Sequence, residues 1–285
     1  MMTLKTFKKF GITKDPFSGD VVKPEDVYLT EDTRFVAEYL LQAAKVGGMV
    51  ALVGESGSGK TTIRRYAIDR MTAKGEKIRI ITLRCVDKTK LTTGMICDAI
   101  VADCSTETPK RTLEAKARQV ERILTNSSRS GYSHVLMIEE AHDLGIRTLK
   151  YLKRFWEMED GFKKLLSIVL IGQVELKSIL DEGKNWEARE VIRRIEILEL
   201  EPMGSGADIA AYLDIKFSRL GKDRKKIIND KGCNALADKL RRETRDGVVY
   251  SVAFPLLVNI WCRKAMNEAA ELGADLVDAD VVKAL

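Results

Sequence analysis

Met49-Val-Ala-Leu-Val-Gly-Glu-Ser-Gly-Ser-Gly-Lys-Thr-Thr62 runs from an apolar pentapeptide into a glycine-rich turn that ends in Lys-Thr-Thr. Gly54 to Thr61 fits the pattern G-x-x-x-x-G-K-[ST], and it does so where an apolar strand gives way to a helix, the setting that pattern requires. The spacing has a chemical reason. Glycines admit backbone angles that turn successive N–H groups inward around phosphates. The following helix adds its positive N-terminal end. Lys60 reaches the β- and γ-phosphates, and the Thr61 hydroxyl is placed to ligate Mg²⁺. Gly54, Glu55, Ser56, Gly57, Ser58, Gly59, Lys60, Thr61 and Thr62 are therefore expected to bind ATP. The competing reading, an ordinary glycine-rich strand-to-helix turn, is disfavoured by Lys-Thr-Thr at that offset.

On either side of this loop the pattern alternates. Before it, Arg34 to Lys45 has helical periodicity after the acids Glu31 and Asp32, and Gly47-Gly48 ends it. After it come an expected helix from Lys60 to Thr72 and a β-rich run, Ile78 to Arg84. Helices follow at Met95–Ala102 and Lys110–Asn126. A strand at His134–Glu139 is apolar without interruption and so is expected to be buried on both faces. A helix at Ile146–Glu159, a strand at Ser167–Gly172, a short helix at Val174–Leu180 and a strand at Glu196–Leu200 complete the series. Strands alternating with helices imply an α/β fold whose five-stranded parallel sheet is covered on both faces. Past Glu201-Pro202 the pattern turns helical: Asp208–Leu220, Gly232–Arg242, Val252–Leu272 and a short helix from Asp278. The expected domains are an ATPase core over 1–202, including an N-terminal linker over 1–30, and a helical lid over 203–285.

At 285 residues, 45% hydrophobic and 32% charged, the composition is that of an ordinary globular chain with ample core. No apolar run approaches the ~20 residues that span a bilayer, and Met1–Phe10 lacks a signal-peptide apolar region. The expectation is a cytoplasmic protein without membrane contact. Five cysteines, Cys85, Cys97, Cys104, Cys233 and Cys262, show no C-x-x-C pairing and read as reduced core thiols. A net charge of +6 is compatible with a polyanionic partner without requiring one.

A phosphate loop needs partners for metal and water. His134-Val-Leu-Met-Ile-Glu139-Glu140-Ala-His142 supplies adjacent carboxylates at a strand end. Glu139 is expected to orient Mg²⁺, although one methylene longer than the usual Asp, and Glu140 to polarise the attacking water. A strand ending in solvated acids is the alternative. Gln173, at the end of the fourth strand, is a candidate γ-phosphate sensor or else an exposed loop amide. Arg193 and Arg194, just before the fifth strand, are candidates to enter a neighbouring subunit's site as an arginine finger, with Arg189 weaker; a surface basic pair is the other reading. His142 completes a Glu-Glu-Ala-His run like the helicase box Asp-Glu-Ala-His, but the chain has no room for a second helicase motor core, so that likeness is read as superficial.

With these residues in place the chain resembles the AAA+ ATPases of the ExeA/TnsC/MuB group, almost end to end. The resemblance rests on Phe10-Gly-Ile…Asp-Pro-Phe17, Tyr28-Leu-Thr30, the phosphate loop, Leu136-Met-Ile-Glu-Glu-Ala-His-Asp-Leu144, Ile168 to Leu176, Arg194-Ile195 and Pro255-Leu-Leu-Val-Asn259. The group often has a nucleotide-sensing Arg after the lid proline, where this chain has Leu256. ExeA-like secretion proteins carry a transmembrane segment and a cell-wall-binding region beyond such a core, and in plan the chain is more similar to TnsC-like and MuB-like transposition regulators. The resemblance implies ATP-dependent oligomerisation, as ring or filament, on double-stranded DNA. It further implies recruitment of a transposase, with or without a target-selection protein, and disassembly on ATP hydrolysis. In such regulators the loop after the second strand and the next helix start face DNA. Lys88, Lys90, Lys110 and Arg111 are then the candidate phosphate contacts, and the Thr89 and Thr92 hydroxyls add to them; two solvated basic loops are the alternative. Arg147, Lys150, Lys153 and Arg154 form a second basic group and Lys222–Lys226 a third, either of which reads equally as a solvated face. The other function classes are an ExeA-like secretion or envelope accessory ATPase without a DNA role, and a P-loop signalling switch.

Overall fold

The computed structural model describes residues 1–19, 21–83 and 87–285, and the side chain of Lys88 also lies outside the description. In chain order the elements are α1 (Leu4–Phe10), α2 (Glu31–Val46), β1 (Met49–Val53), α3 (Lys60–Thr72), β2 (Ile78–Thr82), α4 (Thr93–Cys104), α5 (Leu113–Arg129) and β3 (Ser133–Glu139). They continue with α6 (Ile146–Trp156), β4 (Ser167–Gly172), α7 (Glu175–Ile179), α8 (Arg189–Ile192), β5 (Ile195–Glu199), α9 (Gly206–Ser218), α10 (Asp230–Lys239), α11 (Pro255–Leu272) and α12 (Ala279–Lys283). Two short hairpins are added, Glu159–Asp160 with Lys163–Lys164 and Arg241–Glu243 with Val249–Ser251.

The chain divides into two compact units. One comprises Thr30–Ser56 and Lys60–Leu200, the other Met1–Leu29, Gly57–Gly59 and Glu201–Leu285. In the first, five parallel strands lie in the order β2-β3-β4-β1-β5. β1 and β4 are buried at every residue, and β3 from His134 to Ile138, which requires helices on both faces of the sheet. The edge strands are less covered: in β5 Ile195 and Leu198 are buried while Glu196 and Ile197 are exposed. Leu52, Leu136 and Leu170 are inaccessible to solvent, and truncating any one to Ala is expected to cost about 2–5 kcal/mol. The helix starts follow ordinary capping chemistry. Thr30, Thr92 and Thr112 each accept a backbone N–H from the first turn of α2, α4 and α5.

In the second unit, α9, α10, α11 and α12 share a core with the N-terminal segment. The expectation grouped residues 1–30 with the α/β core. Instead Phe10, Ile12 and Phe17 pack among Met203, Leu213, Phe217 and Cys262. Phe17 meets Phe217 edge-on at 6.0 Å, Arg263 pairs with Asp15 at 2.9 Å, and Arg219 pairs with Asp26 at 3.3 Å. Apolar burial, fixed by these two ion pairs, decides where the segment belongs.

Several element limits differ from the pattern-based expectation. The helix expected over Gly232–Arg242 stops at Lys239 because Arg241–Glu243 pairs with Val249–Ser251. The helix expected from Val252 begins at Pro255, with proline at its first position where no N–H is needed. The helix expected to reach Glu159 ends at Trp156, where the other hairpin takes over. The strand expected over Ile78–Arg84 is seen to Thr82; Arg84 and Cys85 lie outside the described residues. Cys97, Cys104, Cys233 and Cys262 are buried free thiols, and burial pushes Cys97 and Cys233 up to about 11 and Cys104 to about 12. Among the described residues no helix is long and apolar enough to cross a membrane.

Candidate nucleotide site

The strand order makes the site. β4 lies between β3 and β1, so the C-terminal ends of these three strands are neighbours, and parallel sheets bind ligands outside those ends. Val53 of β1 is opposite Gly172 of β4, and Ile171 of β4 is opposite Glu139 of β3. The glycine-rich loop, Gln173 and the Glu139-Glu140 pair therefore arise side by side at one edge of the sheet.

Within the loop, Gly57 and Gly59 have φ of 78° and 98°, angles that glycine adopts without strain. A Cβ at Gly57 would fall 2.4 Å from Leu256 Cβ, and the Leu256 N–H donates to the Gly57 carbonyl at 3.3 Å. Leu256 thus touches the Gly57 backbone and brings no charge there. The Lys60 ammonium donates to the Gly54 and Glu55 carbonyls at 2.7 and 2.8 Å. Burial holds it below the ordinary lysine range, opposed by the carboxylates of Glu140, Glu55 and Glu175. Ser58 Oγ is buried with no hydrogen-bond partner among the described atoms, an orphaned polar group that a phosphate oxygen would satisfy. These features fit a polyphosphate. No cluster of three or more His, Cys, Asp or Glu among the described residues is arranged to hold a metal. The chain's own candidate oxygens for Mg²⁺ are those of Thr61 and Glu139, which suits an ion held chiefly through substrate phosphates.

Glu139 has a partner that pattern reading missed. Arg64 Nη1 lies 3.1 Å from Glu139 Oε1. Arg64 is one helical turn after Lys60, so both project from the same face of α3. That spacing is visible in the sequence, although nothing there pairs it with β3. Glu140 is the one non-glycine residue among those described with positive φ, at 53°. That conformation costs about 1–2 kcal/mol in a residue with a Cβ, and such strain concentrates at working sites. It turns the chain from β3 into the short helical turn Ala141–Asp143 and leaves the Glu140 carboxylate exposed. His142, for which the pattern reading gave no role, lies between Gln173 and Glu140. Its Nδ1 accepts the Gln173 backbone N–H at 3.3 Å. Its Nε2 lies 3.4 Å from the Gln173 amide and 3.5 Å from Glu140 Oε2.

The finger candidates are at the opposite edge. Ile195 is opposite Met49, the first residue of β1, so Arg193 and Arg194 are separated from the phosphate loop by the length of the strand, about 16 Å. Arg193 Nε bonds both carboxylate oxygens of Glu182, at 3.0 and 2.9 Å. The Arg194 guanidinium lies 5.2 Å from the Trp156 ring centroid, and Arg189 lies 4.9 Å from that of Trp186.

The DNA candidates share one end of a helix pair. Lys116 of α5 pairs with Asp98 of α4 at 2.6 Å, and Cys104 and Ile123 line one cavity farther along. The two helices therefore run in the same direction, and their N-termini lie together. Lys90 precedes α4, while Lys110 and Arg111 precede α5. Lys90 pairs with Asp87 at 3.0 Å, and the Thr89 hydroxyl donates to the same carboxylate. Thr92 is committed to capping α4. Lys110 and Arg111 are exposed; Lys88 lies in the turn 88–90, its side chain outside the described residues. In the second basic group Lys150 and Lys153 are drawn to Glu187 and Glu190 at 2.7 and 2.6 Å. In the third, Arg224 is buried between Asp214 and Asp230, each at 2.8 Å, as a structural ion triad.

Residues 44–180 match a family model described as an AAA domain. General secretion pathway protein A of Aeromonas hydrophila is 27% identical over 277 residues, covering 95% of this chain and 46% of that protein; the chain thus spans about half the length of this curated relative. The structure of Cdc6p from Pyrobaculum aerophilum superposes with a TM-score of 0.60 at 13% identity, over 93% of this chain and 68% of that one. Drosophila ORC, solved bound to DNA, superposes with a TM-score of 0.58 at 16% identity, over 98% of this chain and 64% of that one. At these identities the structural likeness speaks to fold alone: an α/β core built on a five-stranded parallel sheet, with a C-terminal helical region. Together the domain match, the structural neighbours and the secretion relative support an AAA+ ATPase.

Proposed function

We propose that this chain is a DNA-binding AAA+ ATPase that assembles on duplex DNA with ATP bound, presents that DNA to a transposase, and leaves it on hydrolysis. The observation that carries the ATPase reading is the convergence of Lys60, Glu139, Glu140 and Gln173 at three neighbouring strand ends. The loop amides and Lys60 hold the phosphates, with Lys60 exchanging its bonds to the Gly54 and Glu55 carbonyls for phosphate oxygens. Mg²⁺, when bound, neutralises charge developing on the transferred phosphoryl group. Thr61 and Glu139 are the residues that would hold it, with Arg64 orienting the Glu139 carboxylate. Glu140 polarises water for in-line attack, and Gln173 bonds the γ-phosphate or that water. Arg194 lies far from its own loop, so it serves a neighbouring copy, and it is favoured over Arg193, which Glu182 occupies.

Support for the DNA partner comes from the paired N-termini of α4 and α5, with Lys88 and Lys90 ahead of one and Lys110 and Arg111 ahead of the other. Helix N-termini and cations at one end suit phosphates and read no base. Lys110 and Arg111 carry most of the contact, because Asp87 already neutralises Lys90. Duplex binding is expected to require ATP. Its log–log salt slope is expected to fall by about 0.9 for each phosphate contact removed. Lys110→Glu with Arg111→Glu should abolish binding to DNA while nucleotide affinity stays unchanged.

A second reading, a secretion accessory ATPase, is favoured by the Aeromonas relative, which aligns with 95% of the chain. ATP-loaded protein that ignores duplex DNA at low salt would replace the first reading with this one.

A further inference from the structure

We propose that His142 is a positioning residue that holds Gln173 by hydrogen bonds and the Glu140 carboxylate by a polar contact, so that γ-phosphate sensing and water activation are set together. The inference rests on the roles proposed above for those two residues. The proton inventory of the ring carries it. The Gln173 backbone N–H can only donate, so His142 Nδ1, 3.3 Å away, accepts and bears no proton. The neutral ring therefore carries its proton on Nε2, which is directed between Glu140 Oε2 at 3.5 Å and the Gln173 amide at 3.4 Å; Asp143 Oδ1 is farther, at 4.0 Å. Facing an N–H donor, the Gln173 amide presents its oxygen, since oxygen and nitrogen of an amide are assigned from the hydrogen-bond network. Both amide N–H bonds of Gln173 are thereby left for a phosphate oxygen or the lytic water.

The backbone is shaped for this arrangement. The positive φ of Glu140 brings His142 back toward the end of β4. Gly172 lets it approach: a Cβ there would lie 3.2 Å from the His142 backbone nitrogen and 3.0 Å from Leu176 Cδ2. The imidazole itself is largely covered, with 15% of its side-chain surface exposed, whereas Glu140 is 63% exposed. An exposed carboxylate on a strained residue has many rotamers, and the ring selects those that face Gln173.

The test is steady-state ATP turnover with Mg²⁺, together with binding of a fluorescent ATP analogue, for full-length wild type, His142→Ala, His142→Gln, His142→Asn and Glu140→Gln. Misplacing a reacting group by about 1 Å costs about 100-fold in rate. His142→Ala is expected to lower kcat by about that factor, with KM and analogue affinity changed less than about twofold. His142→Gln keeps an N–H donor at similar reach and should recover about tenfold of the loss. His142→Asn keeps an acceptor for the Gln173 N–H but falls short of Glu140, and should recover nothing. If His142→Ala does not fold, the Gln and Asn variants decide: equal turnover in the two overturns the inference. A wild-type kcat in His142→Ala, or a loss confined to nucleotide affinity, overturns it too, and a Glu140→Gln protein without turnover then leaves the ATPase reading standing. Wild-type turnover in Glu140→Gln overturns both.

Discussion

His134 ties the acid stability of the sheet to one ring. It is 1% exposed within β3, the strand that ends in Glu139. Its Nδ1 faces the Leu165 carbonyl at 3.0 Å, and a carbonyl only accepts, so Nδ1 carries the proton and Nε2 accepts from the Ser127 hydroxyl at 2.8 Å. Burial pushes the ring down from 6.5 to about 4, helped by the positive charges of Arg79 and Lys163 and opposed by the Leu165 bond. A buried neutral histidine with a depressed pKa takes up its proton more readily when unfolded. The unfolded chain therefore binds more protons between about pH 4 and 6.5, and stability is present above that window and lost as pH falls through it. Integrating from pH 7.5 to 4.5 gives about 2–3 kcal/mol, set against a typical total of about 5–15 kcal/mol. His134→Gln keeps a donor for Leu165 and cannot titrate. Urea unfolding of both proteins at the two pH values is the assay, because carboxylate losses are common to both and cancel. Wild type should lose about 2–3 kcal/mol more than the variant. Equal losses would refute the assignment of a buried, neutral ring.

Two further outcomes follow from the same geometry. Arg194→Ala should bind the ATP analogue normally but lose turnover by about 1000-fold, and mixing it with Lys60→Ala protein, itself unable to hold ATP, should restore part of the rate; no restoration would contradict a finger supplied by a neighbour. Arg224→Met removes the buried guanidinium's bonds to Asp214, Asp230 and the Ile228 carbonyl while preserving most of the side-chain volume; both carboxylates are more than half exposed, so the loss should be about 1–3 kcal/mol in thermal or urea unfolding, and an unchanged midpoint would show that the triad is dispensable.

What could be read in advance tracks how the physics is encoded. Ile168-Val-Leu-Ile171 and Val135-Leu-Met-Ile138 are apolar at every position because helices cover both sides, so a local pattern suffices to find these strands. The phosphate loop is legible because its chemistry is contiguous. Arg241-Arg-Glu243 and Val249-Tyr-Ser251 form a hairpin with no buried face, and a pattern method looks for a buried face. The N-terminal segment showed its aromatics, Phe10 and Phe17, but not that Phe217 would receive them. The same limit hid His142 and Arg64. His142 matters because Gly172 admits the turn beside Gln173, and Arg64 because α3 faces the end of β3. Lys90 and Thr89 looked available in sequence; in space Asp87, two or three residues away, holds both.

The most direct measurement is sedimentation of Glu140→Gln with ATP, Mg²⁺ and duplex DNA, alongside its rate of phosphate release. Glu140→Gln is expected to show no turnover and to form an ATP-dependent assembly that persists for hours, while wild type assembles and then disperses as ATP is spent. Normal phosphate release from Glu140→Gln, or an assembly indifferent to ATP, would contradict this expectation.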